Sequence, residues 1–272
     1  MPLSAQILGS SSGGNCTLIW QGRKALLVDF GFGPRFIADG LAGQGLDWRD
    51  LSGVLVTHTH GDHIDPFTMK TLAGNRVPVI APTSVIHSLK KRFGGSRVAV
   101  GGIFEPLPKA GGRETGPFHI TAFEVPHDAP GGCYGYRIRV KGEEDRQVTI
   151  ATDLGFADGG LPMEFAGSDL LIIESNHDPD MLENSARPEW LKQRIRDVGH
   201  LSNPQAVDLV GRILALSGKA PGALLLAHLS QECNTEPVAL KTMQIGLAGH
   251  GHASLRVEVS HPFQPSAVAS VL

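Results

Sequence analysis

Three histidines and one aspartate lie within the six residues from 58 to 63, and this short run constrains the chain more than any other feature. The apolar stretch 53–56 precedes the run and predicts a strand. Asp65 and Pro66 follow it and predict a helix N-cap with proline at the first helical position. The sequence therefore predicts a strand-to-helix loop that carries metal-binding side chains.

The spacing within this loop suits two adjacent metal ions. His58 and His60 are two residues apart, so an extended backbone points both side chains to the same side. Gly61 permits a sharp turn that brings Asp62 and His63 back to the same place. One loop can then serve a pair of ions.

Composition narrows the class of protein. With 272 residues and 41% hydrophobic content, the chain is long enough for a full core, and we expect a single domain over residues 1–272. A formal charge of -3 gives no overall basic field, so any nucleic-acid binding requires a local patch or metal charge. The three cysteines form no CxxC pair, which suits a reducing compartment. Because the N-terminus lacks a leader pattern and no apolar run reaches about 18 residues, we expect a cytoplasmic protein without membrane contact.

Short strands and helices interleave along the chain. Strands are predicted at 16–20, 24–30, 53–57, 77–81, 118–125, 134–140, 147–152, 169–174, 223–227 and 254–259. Helices are predicted at 66–73, 83–92, 188–198, 204–216 and 237–247. This alternation favours an α/β fold in which two sheets pack face to face with helices outside.

Three more polar residues each follow an apolar strand, namely His127, Asp153 and His228. A single histidine in such a place is more often a hydrogen-bonded residue than a metal ligand. Taken with the run at 58–63, however, the three supply the ligands that two metal ions still lack.

The order HxHxDH, then His, Asp and His, resembles the metallo-β-lactamase superfamily, and the resemblance covers almost the whole chain. It implies a four-layer αββα sandwich. By this resemblance, His58, His60 and His127 hold one metal ion, Asp62, His63 and His228 hold the other, and Asp153 bridges them. Asp29 matches an early aspartate that braces the histidine loop by hydrogen bonding, although an ordinary turn residue would fit the same position equally well.

A carboxylate shared by two metal ions about 4 Å apart indicates hydrolysis, because a water between them loses a proton near neutral pH and becomes a nucleophile. Nitrogen and oxygen ligands without sulfur suit zinc or manganese, and iron also fits. The expected cofactors are therefore two divalent metal ions.

Five further segments resemble the YycJ/WalJ-like branch of phosphodiesterases and exonucleases, namely 9–16, 152–155, 174–178, 199–203 and 227–230. After His228 that branch usually has paired asparagines, whereas this chain has Cys233 and Asn234. The resemblance implies a phosphodiesterase or exonuclease that acts on nucleic acid or a small phosphodiester. A thioester or lactone hydrolase and a non-catalytic binding module are the alternatives.

Asn203 as N-cap and Pro204 as the first helical residue predict a helix that starts beside His200, where free backbone N–H groups favour an anion. His200 is thus a candidate catalytic residue that donates a hydrogen bond to phosphate or a proton to the leaving alkoxide, unless it only ends the preceding helix. Asp62 is the other candidate catalytic residue, because with Asp153 it positions a metal-bridging hydroxide.

Several other polar residues allow more than one interpretation. A basic strip, Arg187, Lys192, Arg194 and Arg196, is either a nucleic-acid contact or a solvated helix face. The Gly-rich loop 10–15 offers amides to a phosphate, but such turns are common. His177 and Asp178 are expected at the rim of the site, whereas His87, His119, His250, His252 and His261 are expected outside it.

Overall fold

A computed structural model describes residues 1–94 and 100–271 of the chain. In chain order its strands are β1 (Leu3–Ser11), β2 (Gly14–Gln21), β3 (Lys24–Val28), β4 (Leu51–Leu55), β5 (Val79–Pro82), β6 (Phe104–Leu107), β7 (Arg113–Thr115), β8 (Phe118–Val125), β9 (Cys133–Val140), β10 (Glu143–Ala151), β11 (Leu170–Glu174), β12 (Ala223–Ala227), β13 (Val257–Val259) and β14 (Ala269–Val271). The helices are α1 (Pro34–Gly43), α2 (Pro66–Gly74), α3 (Thr83–Phe93), α4 (Leu161–Phe165), α5 (Pro179–Glu183), α6 (Glu189–Arg194), α7 (Asn203–Leu216) and α8 (Glu236–Gly249).

The strands form two seven-stranded sheets, with the orders β14-β1-β2-β3-β4-β5-β6 and β13-β12-β11-β10-β9-β8-β7. Neighbours from β3 to β6 are parallel, as are neighbours from β10 to β13. Parallel strands place their carboxyl ends along one edge of a sheet, which is where ligands bind in open α/β sheets. Each sheet therefore offers one edge for a site.

The alternation of side chains along each strand explains why both faces of both sheets are covered. In β12, Leu225 lies in the core between the sheets, whereas Leu224 and Leu226 pack with residues of α7 and α8. In β3, Leu26 belongs to the core between the sheets and Leu27 packs with residues of α1 to α3. The layers follow the order αββα, and the predicted α/β sandwich is confirmed.

Most predicted elements are present with shifted ends, but several were missed. The strands β1, β6, β7 and β14 and the helices α1, α4 and α5 were not predicted. The predicted helix 188–198 is divided, because α6 ends at Arg194 and a π-helical turn follows at Ile195–Gly199. The longest helices, α7 and α8, have 14 residues each, and in the described ranges no helix has the length and apolar character needed to cross a membrane.

The prediction that Asn203 caps α7 is wrong. Ser202 is the N-cap, and its hydroxyl accepts a hydrogen bond from the backbone N–H of Gln205. The Gln205 side chain accepts one from the Ser202 N–H in return, at 2.8 Å. The Asn203 carboxamide instead accepts a hydrogen bond from the Ser175 hydroxyl at 2.6 Å, so it joins α7 to the end of β11.

Tyr136 connects the two sheets beside the histidine loop. Its side chain is fully buried on β9, and its hydroxyl donates a hydrogen bond to the carbonyl of Val56, just after β4. Burial raises the pKa of Tyr136 well above its usual value, which keeps the phenol protonated as a donor. This buried hydrogen bond thus links the two sheets next to His58, together with the bond from the Tyr134 N–H to the Thr57 carbonyl at 3.1 Å.

We expect Tyr136→Phe to lower the free energy of unfolding by about 1 to 2 kcal/mol, because the Val56 carbonyl would be buried without its partner. Urea denaturation monitored by circular dichroism measures the change. Tyr134→Phe is the matched control, since the Tyr134 hydroxyl meets Ser84 at an exposed position. Equal stability of the two variants would contradict the assigned role of Tyr136.

Candidate metal centre

The carboxyl ends of strands from both sheets carry the predicted ligands. In the first sheet, β4 leads to His58, and a short helical turn over Gly61–His63 folds the chain back. In the second sheet, β8 precedes His127, β10 precedes Asp153 and β12 precedes His228. Packing the sheets face to face brings all of these side chains to one place.

The first group of side chains contains three imidazoles. His58 Nε2 lies 2.9 Å from His60 Nδ1, and His127 Nε2 lies 3.3 Å from the same atom. Burial lowers the pKa of each of these histidines, most strongly that of His58, so they are neutral at pH 7. A neutral imidazole is the form that binds a metal ion.

The second group combines two imidazoles with two carboxylates. His228 Nε2 lies 3.2 Å from Asp62 Oδ2, and His63 Nε2 lies 3.2 Å from Asp153 Oδ2. Burial lowers the pKa of His228, but the Asp153 charge and hydrogen bonding to Asp62 outweigh it and raise the pKa to about 10. The same carboxylates raise the pKa of His63. Without a metal ion, protons on the two imidazoles balance the two carboxylates. When the imidazoles are neutral, a metal cation can balance the carboxylates in place of these protons.

Asp153 lies between the two groups. Its Oδ1 is 3.4 Å from His228 Nε2 and 3.8 Å from His127 Nε2, one histidine from each group. Burial raises the pKa of Asp153, but the charges of His228 and His63 outweigh burial and hold the pKa well below its usual value. The carboxyl is therefore ionised. Its Oδ2 is buried and accepts no hydrogen bond from the described residues. This oxygen lies 3.2 Å from His63 Nε2 without a hydrogen bond, and a cation bound to it would give the buried charge the partner that it needs.

Asp29 braces the histidine loop, which is the one of its two interpretations that the family resemblance implied. Its carboxylate accepts hydrogen bonds from the backbone N–H and the hydroxyl of Thr57, at 2.9 and 2.8 Å. His63 Nδ1 lies 2.8 Å from Asp29 Oδ2, and His58 Nδ1 lies 3.0 Å from the Thr57 hydroxyl. With Nδ1 of both rings held in this way, Nε2 of each ring is left to face the cluster.

Glu174 holds imidazole rings in the second sheet, as Asp29 does in the first. The sequence analysis did not identify it as a separate functional residue. It is fully buried at the end of β11, and its Oε1 lies 2.7 Å from His200 Nδ1 and 3.3 Å from His228 Nδ1. Its Oε2 accepts hydrogen bonds from the N–H groups of Leu154 and Leu201, at 2.7 and 3.0 Å. Burial raises the pKa of Glu174, but His200 and His228 outweigh it and lower the pKa to about 2. An acidic residue that ends an all-apolar strand, as in LLIIE, was the available signal.

His200 therefore lies beside the cluster with its Nδ1 bound to Glu174. Its Nδ1 is 3.8 Å from Asp153 Oδ1, and its ring stacks on that of His228 with centroids 5.1 Å apart. The side chain is 19% exposed, unlike the buried ring of His228. His200 is thus the histidine of this pair that faces the solvent side of the cluster.

The Gly-rich segment 10–15 is the turn between β1 and β2, and it reaches the cluster. Asn15 Nδ2 donates a hydrogen bond to Asp62 Oδ2 at 3.3 Å, and the Asn15 oxygen accepts one from the Ser10 hydroxyl at 2.7 Å. The same hydroxyl accepts the His228 N–H at 2.8 Å. This segment therefore lies at the cluster, and its side chains connect both halves of the site.

The basic strip is paired within the chain. Arg194 makes two hydrogen bonds to Asp128, both at 2.8 Å, and Arg187 donates to Glu232 at 2.9 Å. Arg196 pairs with Glu183 and Glu189, and Lys192 donates to the Glu183 carbonyl. These contacts favour the interpretation of the strip as a structural helix face.

The remaining histidines lie outside the cluster. His177 and Asp178 are not among the clustered side chains: His177 is 2% exposed, and Asp178 caps α5 by accepting the Met181 N–H at 3.0 Å. Among the described residues, the clusters able to hold a metal ion contain none of His87, His119, His250, His252 and His261.

Residues 25–228 match the profile of a family described as the beta-lactamase superfamily domain. Exodeoxyribonuclease WalJ of Streptococcus pneumoniae serotype 2, strain D39, is 32% identical over 244 residues, which are 89% of this chain and 87% of that protein. Exodeoxyribonuclease YycJ of Bacillus anthracis is 29% identical over 241 residues, which are 88% of this chain and 87% of that protein.

Solved structures show the same architecture. The metallo-β-lactamase fold protein YhfI from Bacillus subtilis superposes with a TM-score of 0.71 at 19% identity and 100% coverage of both chains. The short form of human tRNase Z superposes with a TM-score of 0.66 at 16% identity and 99% coverage of both chains. At these identities the likeness concerns the fold alone.

We expect Gly31→Ala to disturb the metal cluster, because a Cβ at residue 31 would lie 1.8 Å from the backbone oxygen of Asp62. The loop at 60–63 must then move, which weakens divalent metal binding and lowers the free energy of unfolding by about 1 to 3 kcal/mol. Isothermal titration with manganese and urea denaturation measure the two effects.

Gly33→Ala is the matched control, since a Cβ at residue 33 meets no atom within 4 Å. It should bind manganese as the unmodified chain does. A Gly31→Ala variant with unchanged metal affinity would show that the loop tolerates the displacement.

Proposed function

The chain belongs to the metallo-β-lactamase superfamily, in the branch of the WalJ and YycJ proteins, and from this membership we propose that it is a metal-dependent phosphodiesterase that degrades DNA as an exonuclease. Two relatives that match most of its length are named exodeoxyribonucleases. The observation that carries the proposal is the position of the buried Asp153 carboxylate between two groups of metal-binding side chains.

Two divalent metal ions are part of the proposal. We assign His58, His60 and His127 to one ion, Asp62, His63 and His228 to the other, and Asp153 to both. The nitrogen and oxygen donors suit zinc or manganese, and iron is compatible with them. Held by these residues, two ions would supply a water of lowered pKa and positive charge to balance the charge of the phosphate.

The side chains of the chain have separate roles in the proposed reaction. Asp62 and Asp153 orient the attacking water by accepting its hydrogen bonds. Glu174 holds Nδ1 of His200, so that His200 presents Nε2 to the substrate. Protonated His200 then donates a proton from Nε2 to the alkoxide that leaves when the phosphodiester bond breaks.

The proposed location of the protein is the cytoplasm. Cys16, Cys133 and Cys233 are buried free thiols. Free thiols are typical of a reducing compartment, and this supports the proposal.

We expect His60→Ala and Asp153→Asn to reduce the hydrolysis of bis-p-nitrophenyl phosphate to background, because each removes a proposed metal ligand. Release of nitrophenolate measures the rate, and elemental analysis of manganese-loaded protein measures the metal content. The unmodified chain should hold two ions, and both variants should hold fewer.

His87→Ala is the control for these variants, since His87 is exposed on α3 and lies outside the cluster. A full rate in Asp153→Asn with an intact circular dichroism spectrum would contradict the metal assignment. Faster turnover of a thioester or a lactone than of end-labelled DNA would contradict the nuclease proposal and show that the protein is an acyl hydrolase.

We expect His200→Ala to slow DNA hydrolysis by about 100-fold or more, the usual contribution of a general acid. Hydrolysis of bis-p-nitrophenyl phosphate should fall much less, because nitrophenolate leaves as a stabilised anion that needs no proton. Steady-state rates on both substrates measure the difference, and equal losses on the two would assign His200 a structural role instead.

A further inference from the structure

The hairpin turn between β1 and β2 brings a buried amide to the metal cluster. The turn consists of Ser12 and Gly13, and in this register Ser10 lies directly opposite Asn15. Residues paired in this way have side chains on the same face of the sheet. Asn15 is 4% exposed, and its backbone carbonyl accepts a hydrogen bond from the Gly31 N–H at 2.8 Å. The hairpin therefore holds Asn15 against the segment that follows β3.

The hydrogen bonds of Ser10 and Asn15 fix the direction of this amide. Ser10 Oγ accepts the His228 N–H at 2.8 Å, so its single hydroxyl proton is left for Asn15 Oδ1 at 2.7 Å. Asn15 Nδ2 donates to the Ser11 carbonyl at 3.0 Å and to Asp62 Oδ2 at 3.3 Å. The oxygen of the amide therefore faces Ser10, and its nitrogen faces the cluster.

These bonds close a ring that begins and ends at His228. The His228 N–H binds Ser10, Ser10 binds Asn15, Asn15 binds Asp62, and Asp62 Oδ2 lies 3.2 Å from His228 Nε2. The ring connects the two sheets, because β1 and β2 belong to one sheet and β12, which leads to His228, belongs to the other. Asp62 and His228 are assigned to the same ion. The ring therefore determines where two proposed ligands of that ion lie relative to each other.

The two oxygens of the Asp62 carboxylate have different surroundings. Oδ2 lies 3.3 Å from Asn15 Nδ2, 3.2 Å from His228 Nε2 and 3.4 Å from His63 Nε2. Every hydrogen bond and ion pair that the described residues make with this carboxylate goes to Oδ2. A carboxylate turns easily about its terminal torsion, so the two oxygens would exchange unless a donor held one of them. With Oδ2 held, Oδ1 is left to accept a hydrogen bond from the attacking water.

An amide suits this position because it donates a hydrogen bond without carrying a charge. Asp62 keeps its negative charge for a cation, whereas a lysine at residue 15 would repel that cation. Asn15 Nδ2 also lies 3.2 Å from His63 Nε2. The contacts that Asn15 makes with the cluster, as far as the chain is described, are therefore to two side chains assigned to one ion.

We propose that Asn15 is a positioning residue for one of the two metal ions: it holds Asp62 Oδ2 beside His63 and His228, and thereby sets the affinity of that ion without binding it. This inference rests on the two-ion centre of the proposed function and adds the residue that controls the occupancy of one ion. Loss of a residue that only orients metal ligands weakens metal binding about 10- to 100-fold. The other ion should keep its affinity.

The test titrates the metal-free chain with manganese and compares three variants of the hairpin. Asn15→Leu keeps the approximate shape of the side chain but removes its donor, so isothermal titration should show one ion unchanged and the other bound about 10- to 100-fold more weakly. Ser10→Ala should weaken the same ion, because it releases Asn15 Oδ1. Ser12→Ala, at the exposed tip of the turn, should bind both ions normally. Circular dichroism checks that each variant is folded.

A variant of the other ligand group identifies which ion is affected. His60 is a proposed ligand of the other ion, so His60→Ala and Asn15→Leu should each leave one tightly bound ion, and the double variant should leave none. Electron paramagnetic resonance gives a second readout. The unmodified chain should show the signal of a coupled manganese pair, and Asn15→Leu at limiting manganese should show that of an isolated ion.

The rate of hydrolysis of bis-p-nitrophenyl phosphate separates positioning from general damage to the fold. In Asn15→Leu it should be low at limiting manganese and rise towards that of the unmodified chain as manganese is added. Equal weakening of both ions, unchanged binding of both, or a tightly bound ion in the double variant would overturn the inference and leave the nuclease proposal in place. The expected binding pattern without cleavage of DNA would overturn the nuclease proposal alone. An unmodified chain that binds no pair of ions would overturn both.

Discussion

The site depends on two buried carboxylates that hold imidazole rings from the side opposite the cluster. Asp29 binds Nδ1 of His63, and Glu174 binds Nδ1 of His200 and His228. A histidine whose Nδ1–H is engaged can offer only Nε2 to a metal ion or a substrate. Each carboxylate lies at a strand end of a different sheet. The packing of the two sheets therefore determines how the rings are oriented relative to one another. Tyr136, which links the sheets beside His58, belongs to the same arrangement.

The fold explains why short loops are enough to bring the side chains of the cluster together. Parallel strands in each sheet end at the same edge, so the polar residues that follow them converge there. His58, Asp153 and His228 lie one to three residues after β4, β10 and β12. Loops of a few residues then suffice, because a rigid sheet fixes where each loop begins.

The side chains of the cluster could be predicted from sequence because their signal is local, a polar residue after a run of apolar ones. The predicted layers also followed from the alternation of strands and helices. Glu174 was not recognised as the partner of His200, because 26 residues separate them and only the packing of β11 against the π-helical turn brings them together. The N-cap of α7 was misplaced by one residue, since Ser202 and Asn203 are both good caps and only tertiary contacts to Ser175 decide between them. β1 was missed because its end, Gly9 to Ser11, has the composition of a turn.

The backbone conformation at three of these strand ends lowers the stability of the folded protein. Asp29, Asp153 and His228 have φ values of 61°, 61° and 57°, in the left-handed region that most side chains avoid. Each such residue costs about 1 to 2 kcal/mol relative to a relaxed conformation. Glycine would remove this backbone cost at each position, but it would delete a side chain of the site, and at Asp29 it would also leave the buried Thr57 N–H and hydroxyl without their acceptor. Relief of the backbone strain and retention of the site therefore exclude each other at these three strand ends.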